Sequence, residues 1–332
     1  MNSGGRLRFD ALNAALKAAG EETRLRVLAL LAEAELTVSD LTDILRQSQP
    51  RISRHLKLLA EAGLIERFRE GTWAFFRLAE HGGGAELART LLERLDPADQ
   101  TIARDRARLA SVRSARAGAA QAYFRAHAAE WDRIRKLHVA DDAVEAAIRA
   151  ALAEKPFRSL LDLGTGTGRM LELYGPEIER GLGLDLSLDM LLLARDRLER
   201  AGLKNCSVRQ GDIYDLPLAN DSFDVVILHQ VLHFLDDGAR AIHEAARVLR
   251  PGGRLLVVDF APHEQEFLRE QFAHRRLGFA PETVAHWMSA SGLEPLLHKS
   301  LAPEPEGKIA VSLWLARDGR ALMASPPQRE VA

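Results

Sequence analysis

The sequence predicts two domains of different class: an N-terminal, mostly α unit closed by a β-hairpin, and a C-terminal unit in which strands and helices alternate. Three observations carry this. The chain of 332 residues is too long for one ordinary core. Apolar residues in the first 80 positions recur at helical spacing before a short alternating stretch, and from Ser159 onward strand-length apolar runs are separated by helical segments. The composition, 47% hydrophobic and 28% charged, is that of a soluble globular protein, and the net charge of -2 means that nucleic-acid affinity must come from a local patch. Cys206 is the only cysteine, which excludes an intramolecular disulfide and a multi-thiolate metal site, and a reducing cytoplasm fits best. The N-terminus lacks a signal-peptide apolar region and no run approaches the ~18 residues of a membrane span, so neither export nor a membrane is expected.

In the N-terminal unit, DALNAALKAAG and TRLRVLALLAEA read as helices, followed by ELTVSDL, where Thr37 and Asp40 have capping-box spacing before Leu41, Ile44 and Leu45. The next helix, SQPRISRHLKLLAEAGL, has Ser48 or Gln49 to cap it, Pro50 in its first turn and Gly63 as a left-handed stop. Ile52, Leu56 and Leu59 face inward, which leaves Gln49, Arg51, Ser53, Arg54 and Lys57 outside. A helix, a turn and a second helix with polar residues in its first turn is what major-groove reading requires, and Arg46 and Lys57 suit phosphates. LIERFREGTWAFFRL then reads as a β-hairpin turning at Glu70-Gly71, with Ile65 and Phe75 alternating against Arg67, Arg69 and Arg77.

These stretches together resemble the ArsR/SmtB family of winged helix-turn-helix repressors over about residues 10 to 80. The resemblance implies a homodimer on a two-fold-related operator of double-stranded DNA. It places Ser48, Gln49, Arg51, Ser53, Arg54 and His55 on or near the recognition surface, with Lys57 and the wing residues Arg67 and Arg69 beside them; His55 is equally readable as a buried helix residue. Many members sense thiophilic metals through cysteines at the helix start that matches ELTVSDL. Thr37 and Ser39 stand there in this chain, hydroxyls are poor ligands for soft ions, and no metal is expected.

After HGGG at 81–84, helical segments run from Ala85 to about Ala153 with a break at Asp96-Pro97. TIARDRARLASVRSAR is either a solvated helix or a basic arm near DNA or the partner, and Tyr123, Phe124, Trp131 and Ile134 have core-like spacing. The expected division is a DNA-binding domain at 1–82, a helical linker and dimerisation segment that includes the N-terminal helices of the next domain at 83–155, an α/β domain at 156–320 and a disordered tail at 321–332.

The α/β domain has four chemistry-bearing elements in order. SLLDLG is followed by a loop with Gly164, Gly166 and Gly168, and Asp162 precedes it, placed to hold the loop or a cationic group. Asp185 ends the second strand, where a carboxylate can accept both hydrogen bonds of a ribose diol, and Asp212 follows the third, where it can accept from an adenine amine. His229, His233, Asp259 and His263 lie at or after later strand ends, where an acceptor would sit; each also has a packing or hydrogen-bonding reading. AHRRLGFAPETV shapes that pocket or is a solvated loop.

LLDLGTGTGRML, GLGLDLSLDML, VRQGDIYDLPL, FDVVILHQVLHFL and LRPGGRLLVVDF resemble class I, UbiE-like S-adenosylmethionine-dependent methyltransferases over about 120 to 318. The resemblance implies a Rossmann-like seven-stranded sheet with an antiparallel last strand, for which KIAVSLWLARD is the candidate. It implies Gly164, Gly166 and Gly168 at the methionine part, Asp185 at the ribose, Leu186 and Met190 at the adenosine, and Asp212 with Ile213 at the adenine; His229 is counted with this cofactor set. The expected function is a dimeric transcriptional regulator that senses S-adenosylmethionine or S-adenosylhomocysteine, transfers methyl groups, or both. The alternative is an active small-molecule methyltransferase with an autoregulatory DNA-binding domain. Methylation of bound nucleic acid is disfavoured, since no N-P-P-Y-like or cysteine-nucleophile motif is present.

Overall fold

The computed structural model describes residues 6–70, 72–128, 141–301 and 309–320, and the chain divides into two compact units, Met1–Gly118 and Ala119–Ala332. The expected positions Trp131 and Ile134 and the tail at 321–332 lie outside the described residues.

The first unit holds α1 (Phe9–Ala19), α2 (Glu22–Leu31), β1 (Leu36–Thr37), α3 (Val38–Leu45), α4 (Gln49–Glu61), β2 (Ile65–Glu70), β3 (Trp73–Leu78), α5 (Gly83–Glu93) and most of α6 (Gln100–His127). The hairpin β2–β3 is antiparallel, and β1 adds to it in the order β1-β3-β2. The capping box at α3 forms as its spacing predicts: Thr37 Oγ1 accepts from the Asp40 amide at 3.2 Å and Asp40 accepts from the Thr37 amide at 2.9 Å. Leu41, Ile44, Ile52, Leu56 and Leu59 pack into one core with Ala88 of α5 and Leu109 of α6. α5 and the first part of α6 thus close the core of the winged helix.

Four arginines of α6 are tied down within this unit. Arg106 pairs with Glu33, Arg108 donates to the Ile44 carbonyl at 3.1 Å, Arg113 donates to the Glu33 carbonyl at 2.8 Å, and Arg116 pairs with Asp40. In the reverse direction, buried Asp105 of α6 takes Arg26 of α2 in a bidentate pair at 2.7 and 2.8 Å.

The second unit contains α7 (Asp141–Leu152), β4 (Ser159–Leu163), α8 (Arg169–Tyr174), β5 (Arg180–Asp185), α9 (Leu188–Arg200), β6 (Cys206–Gln210), β7 (Phe223–His229), α10 (Gly238–Arg247), β8 (Leu249–Phe260), α11 (Phe267–Gln271), α12 (Pro281–Ala290), β9 (Leu293–Leu301) and β10 (Val311–Asp318). The sheet order is β6-β5-β4-β7-β8-β10-β9, with the first five strands parallel and β10 antiparallel to both neighbours. Alternate residues supply two cores: Leu160, Val225, Ile227, Leu256 and Val258 on one face, Leu161, Leu163, Val226, Leu228 and Val257 on the other. Both faces are thus covered, which is why these strands read as continuous apolar runs. The order reverses between β4 and β7, and the crevice beyond their C-terminal ends is where an open α/β sheet takes its ligand.

At the opposite end of the sheet, Asp224 staples β7 to the start of β4. It accepts from the Arg158 amide at 3.0 Å, from the Ser159 amide and hydroxyl at 2.9 Å each, and from Arg250 at 2.9 Å. Burial alone would raise its pKa, but the Arg158 amide, Arg250 and Ser159 outweigh it and hold the carboxyl below its usual value. A carboxyl with a lowered folded-state pKa stabilises the fold above its unfolded pKa and ceases to as pH falls through the folded one. Asp224→Ala is expected to cost about 2 kcal/mol in urea unfolding at pH 7, with the gap to wild type closing as the pH is lowered below ~4.

Candidate functional sites

The first site is the outer face of α4. Ser48 occupies the N-cap position without using its side chain there, and Pro50 lies in the first turn. Ser48, Gln49, Arg51, Ser53, Arg54 and Lys57 are all exposed, as are Arg67 and Arg69 on the wing strand β2. Lys57 has only an exposed 3.8 Å contact with Glu61, a pair too weak to withhold it from a phosphate. His55 departs from this set. It is buried, with Nδ1 3.5 Å from a carboxylate oxygen of Glu21, the residue that caps α2. Burial chiefly lowers its pKa, with Arg24, Arg51 and Arg54 adding to the effect against Glu21, so His55 is a packing residue of the recognition helix rather than part of its reading face. Arg77 is also engaged, by Glu66, Glu80 and Glu35.

The second site lies at the sheet's switch point. The amides of Gly164 and Thr165 both donate to the Leu184 carbonyl, at 2.8 and 2.9 Å, so the loop after β4 folds over the end of β5. Gly164, Gly166 and Gly168 all have positive φ. At Gly164 a Cβ would come within 2.4 Å of the Val231 side chain, so the loop tolerates no side chain there. Asp162 is buried and accepts from the Thr165 hydroxyl at 2.6 Å, which assigns it to holding the loop.

Asp185 reaches back to the same loop: one carboxylate oxygen accepts from the Gly166 amide at 2.9 Å, the other from the Ser187 amide at 2.8 Å. Burial pushes its carboxyl above the usual range, opposed by the amides of Ser187, Gly166 and Leu186. Each oxygen keeps a lone pair for a further donor, which fits a ribose diol. The Gly211 amide donates to the Asp185 carbonyl at 3.1 Å, which sets the chain at Asp212 and Ile213 just past the end of β5. Leu186 is partly exposed, Ile213 is buried and Asp212 is exposed with one oxygen accepting from the Tyr214 amide at 2.9 Å. Two apolar side chains and a carboxylate with acceptor capacity fit an adenine ring and its amine. Met190 is buried, one turn into α9.

Beyond β7 and β8 the histidines separate into different roles. His229 ends β7, in register with Val258. His233 is buried, its Nδ1 2.8 Å from an Asp259 oxygen, its ring against Phe234, Phe260 and His274 at centroid distances of 4.0, 4.7 and 4.2 Å. Asp259 is fully buried and also accepts from the Phe260 amide at 2.7 Å. The AHRRLGFAPETV stretch is not a solvated loop: the amides of Arg275 and Arg276 donate to the His233 carbonyl at 2.8 and 3.0 Å, and Arg275 pairs with Asp236 at 2.9 Å.

One residue was not legible from motif spacing. Gln230, next after β7, is 7% exposed, has a left-handed φ of 55° and an Nε2 with no hydrogen-bond partner among the described residues. Left-handed backbone at a non-glycine residue costs on the order of 1–3 kcal/mol, and an unsatisfied buried amide about 1–3 kcal/mol more. Its neighbour Val231 is the side chain that packs on Gly164. The only sequence signal was its place at a strand end between two histidines.

Among the described residues no group of three or more His, Cys, Asp or Glu side chains is placed to hold a metal ion, and no helix is long and apolar enough to cross a membrane.

A winged helix and a seven-stranded sheet with a glycine loop answered by a carboxylate on the next strand define a helix-turn-helix regulator domain joined to a methyltransferase domain. Comparison with known proteins agrees: residues 21–67 match the bacterial regulatory protein arsR family, and residues 161–257 match a methyltransferase domain family. The chain belongs to the S-adenosylmethionine-dependent methyltransferase family through its second domain and carries an ArsR-family helix-turn-helix in its first. An uncharacterized methyltransferase of Bacillus subtilis, YcgJ, is 30% identical over 176 residues, 52% of this chain and 67% of that protein. The ubiquinone/menaquinone biosynthesis C-methyltransferase UbiE of Vibrio vulnificus is 34% identical over 111 residues, 32% of this chain and 43% of that protein. A crystal structure of the Bacillus subtilis protein is similar with a TM-score of 0.45 at 20% identity, covering 53% of this chain and 98% of that one. The chain thus spans about two thirds of the first relative's length and less than half of the second's.

Gly164→Ala is expected to lower S-adenosylhomocysteine affinity at least tenfold in calorimetry, since both the positive φ and the Val231 contact displace the loop, while circular dichroism remains that of the folded protein.

Proposed function

We propose that the protein is a homodimeric operator-binding regulator whose methyltransferase domain binds S-adenosylmethionine and S-adenosylhomocysteine, and that occupancy of this domain changes its affinity for DNA. The observation that carries the nucleoside reading is Asp185, a half-buried carboxylate held by Gly166 and Ser187 with acceptor capacity left over, beside a loop with no room for a Cβ at Gly164. When bound, S-adenosylmethionine supplies an electrophilic methyl group. Gly164, Gly166 and Gly168 would lie along its methionine part, Asp185 would take the ribose hydroxyls, Leu186 and Ile213 would cover the adenine, and Asp212 would accept from its amine.

The dimer is supported by α1. Phe9, Leu12 and Leu16 lie at i, i+3 and i+7 and are 81%, 38% and 45% exposed, an apolar stripe on a helix whose other side is core. DNA binding is supported by the exposed Gln49, Arg51, Ser53 and Arg54 of α4, flanked by Lys57 and by Arg67 and Arg69 of the wing. At neutral pH Asp185 must be ionised to accept two ribose hydroxyls, and burial opposes this. Nucleoside affinity is therefore expected to rise as pH is raised through the elevated pKa of Asp185 and to fall below it.

A second reading, methyl transfer to a small molecule, is favoured by the buried His233–Asp259 pair and by Gln230, groups that nucleoside binding alone does not use. The two readings are compatible, since a regulator can also be an enzyme.

The deciding measurement is the affinity for an operator duplex, obtained by selection from random DNA, at fixed salt with and without each nucleoside. A change of about 5-fold or more with one of them is expected, and equal affinities would end the sensor reading. On that duplex Arg54→Ala should cost about 1–3 kcal/mol and relax sequence preference, whereas Lys57→Ala should weaken all sequences alike and lower the salt slope by about 1. Leu12→Glu with Leu16→Glu should shift sedimentation from dimer to monomer and weaken operator binding with it.

A further inference from the structure

The strained, buried Gln230 has company. His263 accepts the Gln265 amide on Nδ1 at 3.2 Å, so the proton of its neutral ring rests on Nε2, which is buried without a hydrogen-bond partner. Burial above all, then the neighbouring His233, lowers its pKa to about 4 and keeps it neutral. Tyr123 Oη is likewise buried without a partner, and burial pushes its pKa up to about 12, so it remains a phenol. Tyr123 and His263 belong to one network of ring contacts. Tyr123 lies 5.9 Å from Phe124, which lies 4.8 Å from Phe234, which touches His233; Phe260 lies 4.7 Å from His233 and 5.6 Å from His263. Gln230 joins it through the backbone, its amide donating to the Val258 carbonyl at 2.7 Å, one residue before Asp259.

The chemistry of this cluster is selective. Gln230, His263 and Tyr123 bring to it an amide N–H, an imidazole N–H and a phenol, all able to donate and none charged. The charged neighbours are already committed: Arg269 to Glu266 at 3.3 Å, Arg275 to Asp236 at 2.9 Å, and Asp259 to His233 at 2.8 Å, with His274 stacked between His233 and Phe260. An anion would find no uncompensated cation, and an ammonium would face donors. Oxygen lone pairs on a flat, apolar ring answer both the donors and the aromatic walls.

We propose that Gln230, His263 and Tyr123 form the methyl-acceptor subsite, that its ligand is a hydroxylated aromatic ring, and that His233, oriented by Asp259, is the base for its hydroxyl. The proposal rests on the methyl-transfer reading above. With Nδ1–H directed to Asp259, His233 Nε2 carries the lone pair, the arrangement in which a carboxylate holds an imidazole as a base. The hydroxyl proton passes to Nε2 and the oxygen forms a bond to the methyl carbon. The electron pair of the broken carbon–sulfur bond stays on sulfur, so the products are an aryl methyl ether, S-adenosylhomocysteine and one proton, which leaves to solvent.

The test uses the full chain with catechol and 2-naphthol as probes and putrescine as the contrasting amine. With S-adenosylhomocysteine saturating, catechol or 2-naphthol should raise the melting temperature and putrescine should not. Gln230→Gly should raise the melting temperature of the ligand-free protein, because glycine relieves the left-handed backbone, and should abolish the shift by the hydroxyarene. Tyr123→Phe should weaken that shift while leaving S-adenosylhomocysteine affinity unchanged. His233→Asn should retain both bindings yet lower transfer of labelled methyl to catechol by about 10²-fold or more. If S-adenosylhomocysteine binds but neither hydroxyarene shifts melting or takes label, or if putrescine takes label instead, the subsite assignment is wrong and the nucleoside site stands. Undiminished transfer in His233→Asn would remove the base. Failure of the wild-type chain to bind S-adenosylhomocysteine would remove the reading beneath both.

Discussion

The carbonyl of Leu184 accepts the amides of both Gly164 and Thr165, and much of the second domain follows from that one junction. Two neighbouring parallel strands end at the same level, and the chain leaving β4 is turned across the end of β5. The turn needs positive φ and leaves no room for a Cβ against Val231, which is why the loop is glycine-rich. It also brings the Gly166 amide within reach of Asp185, so the carboxylate that would bind a nucleoside is also the one that fixes the loop. Binding and folding therefore draw on the same group, and burial makes its charge costly until further donors reach it.

In the first domain the corresponding constraint is ionic. Asp40 answers Thr37 in the capping box of α3 and also pairs with Arg116 of α6, while Arg108 of the same helix donates to the last turn of α3 at Ile44. The helix that precedes the recognition helix is thus gripped at both ends by α6. At this helix start Thr37 is a capping hydroxyl, and Asp40, which answers it, is committed to Arg116. Such a helix start is a fixed point of the domain.

Much of this was readable in the chain. Period and punctuation located the helices, the wing and the strands, because an amphipathic helix and a strand covered on both faces leave different apolar spacings. Asp162, the three glycines, Asp185 and Asp212 were legible because loop geometry and hydrogen bonding demand those residue types at those strand ends. His55 was not: its polar side chain could point either way on α4, and only the packing of α2 against α4 turned it toward Glu21. The arginines of α6 were ambiguous for a related reason, since their partners lie on α3 and on the turn before it, far away in sequence.

The sequence by itself determined the order of elements, the two domain classes and the glycine and carboxylate positions of the proposed nucleoside site, all of which depend on local periodicity and on residues with few conformational alternatives. Only the tertiary structure decided that Gln230 is strained and buried beside the glycine loop, that His233 is held by Asp259, and that arginines in the basic run of α6 are tied to Glu33, Asp40 and the Ile44 carbonyl. Those facts depend on which strand ends and helix faces meet across long stretches of chain, and a side chain's partner there is chosen by packing, not by its neighbours in sequence.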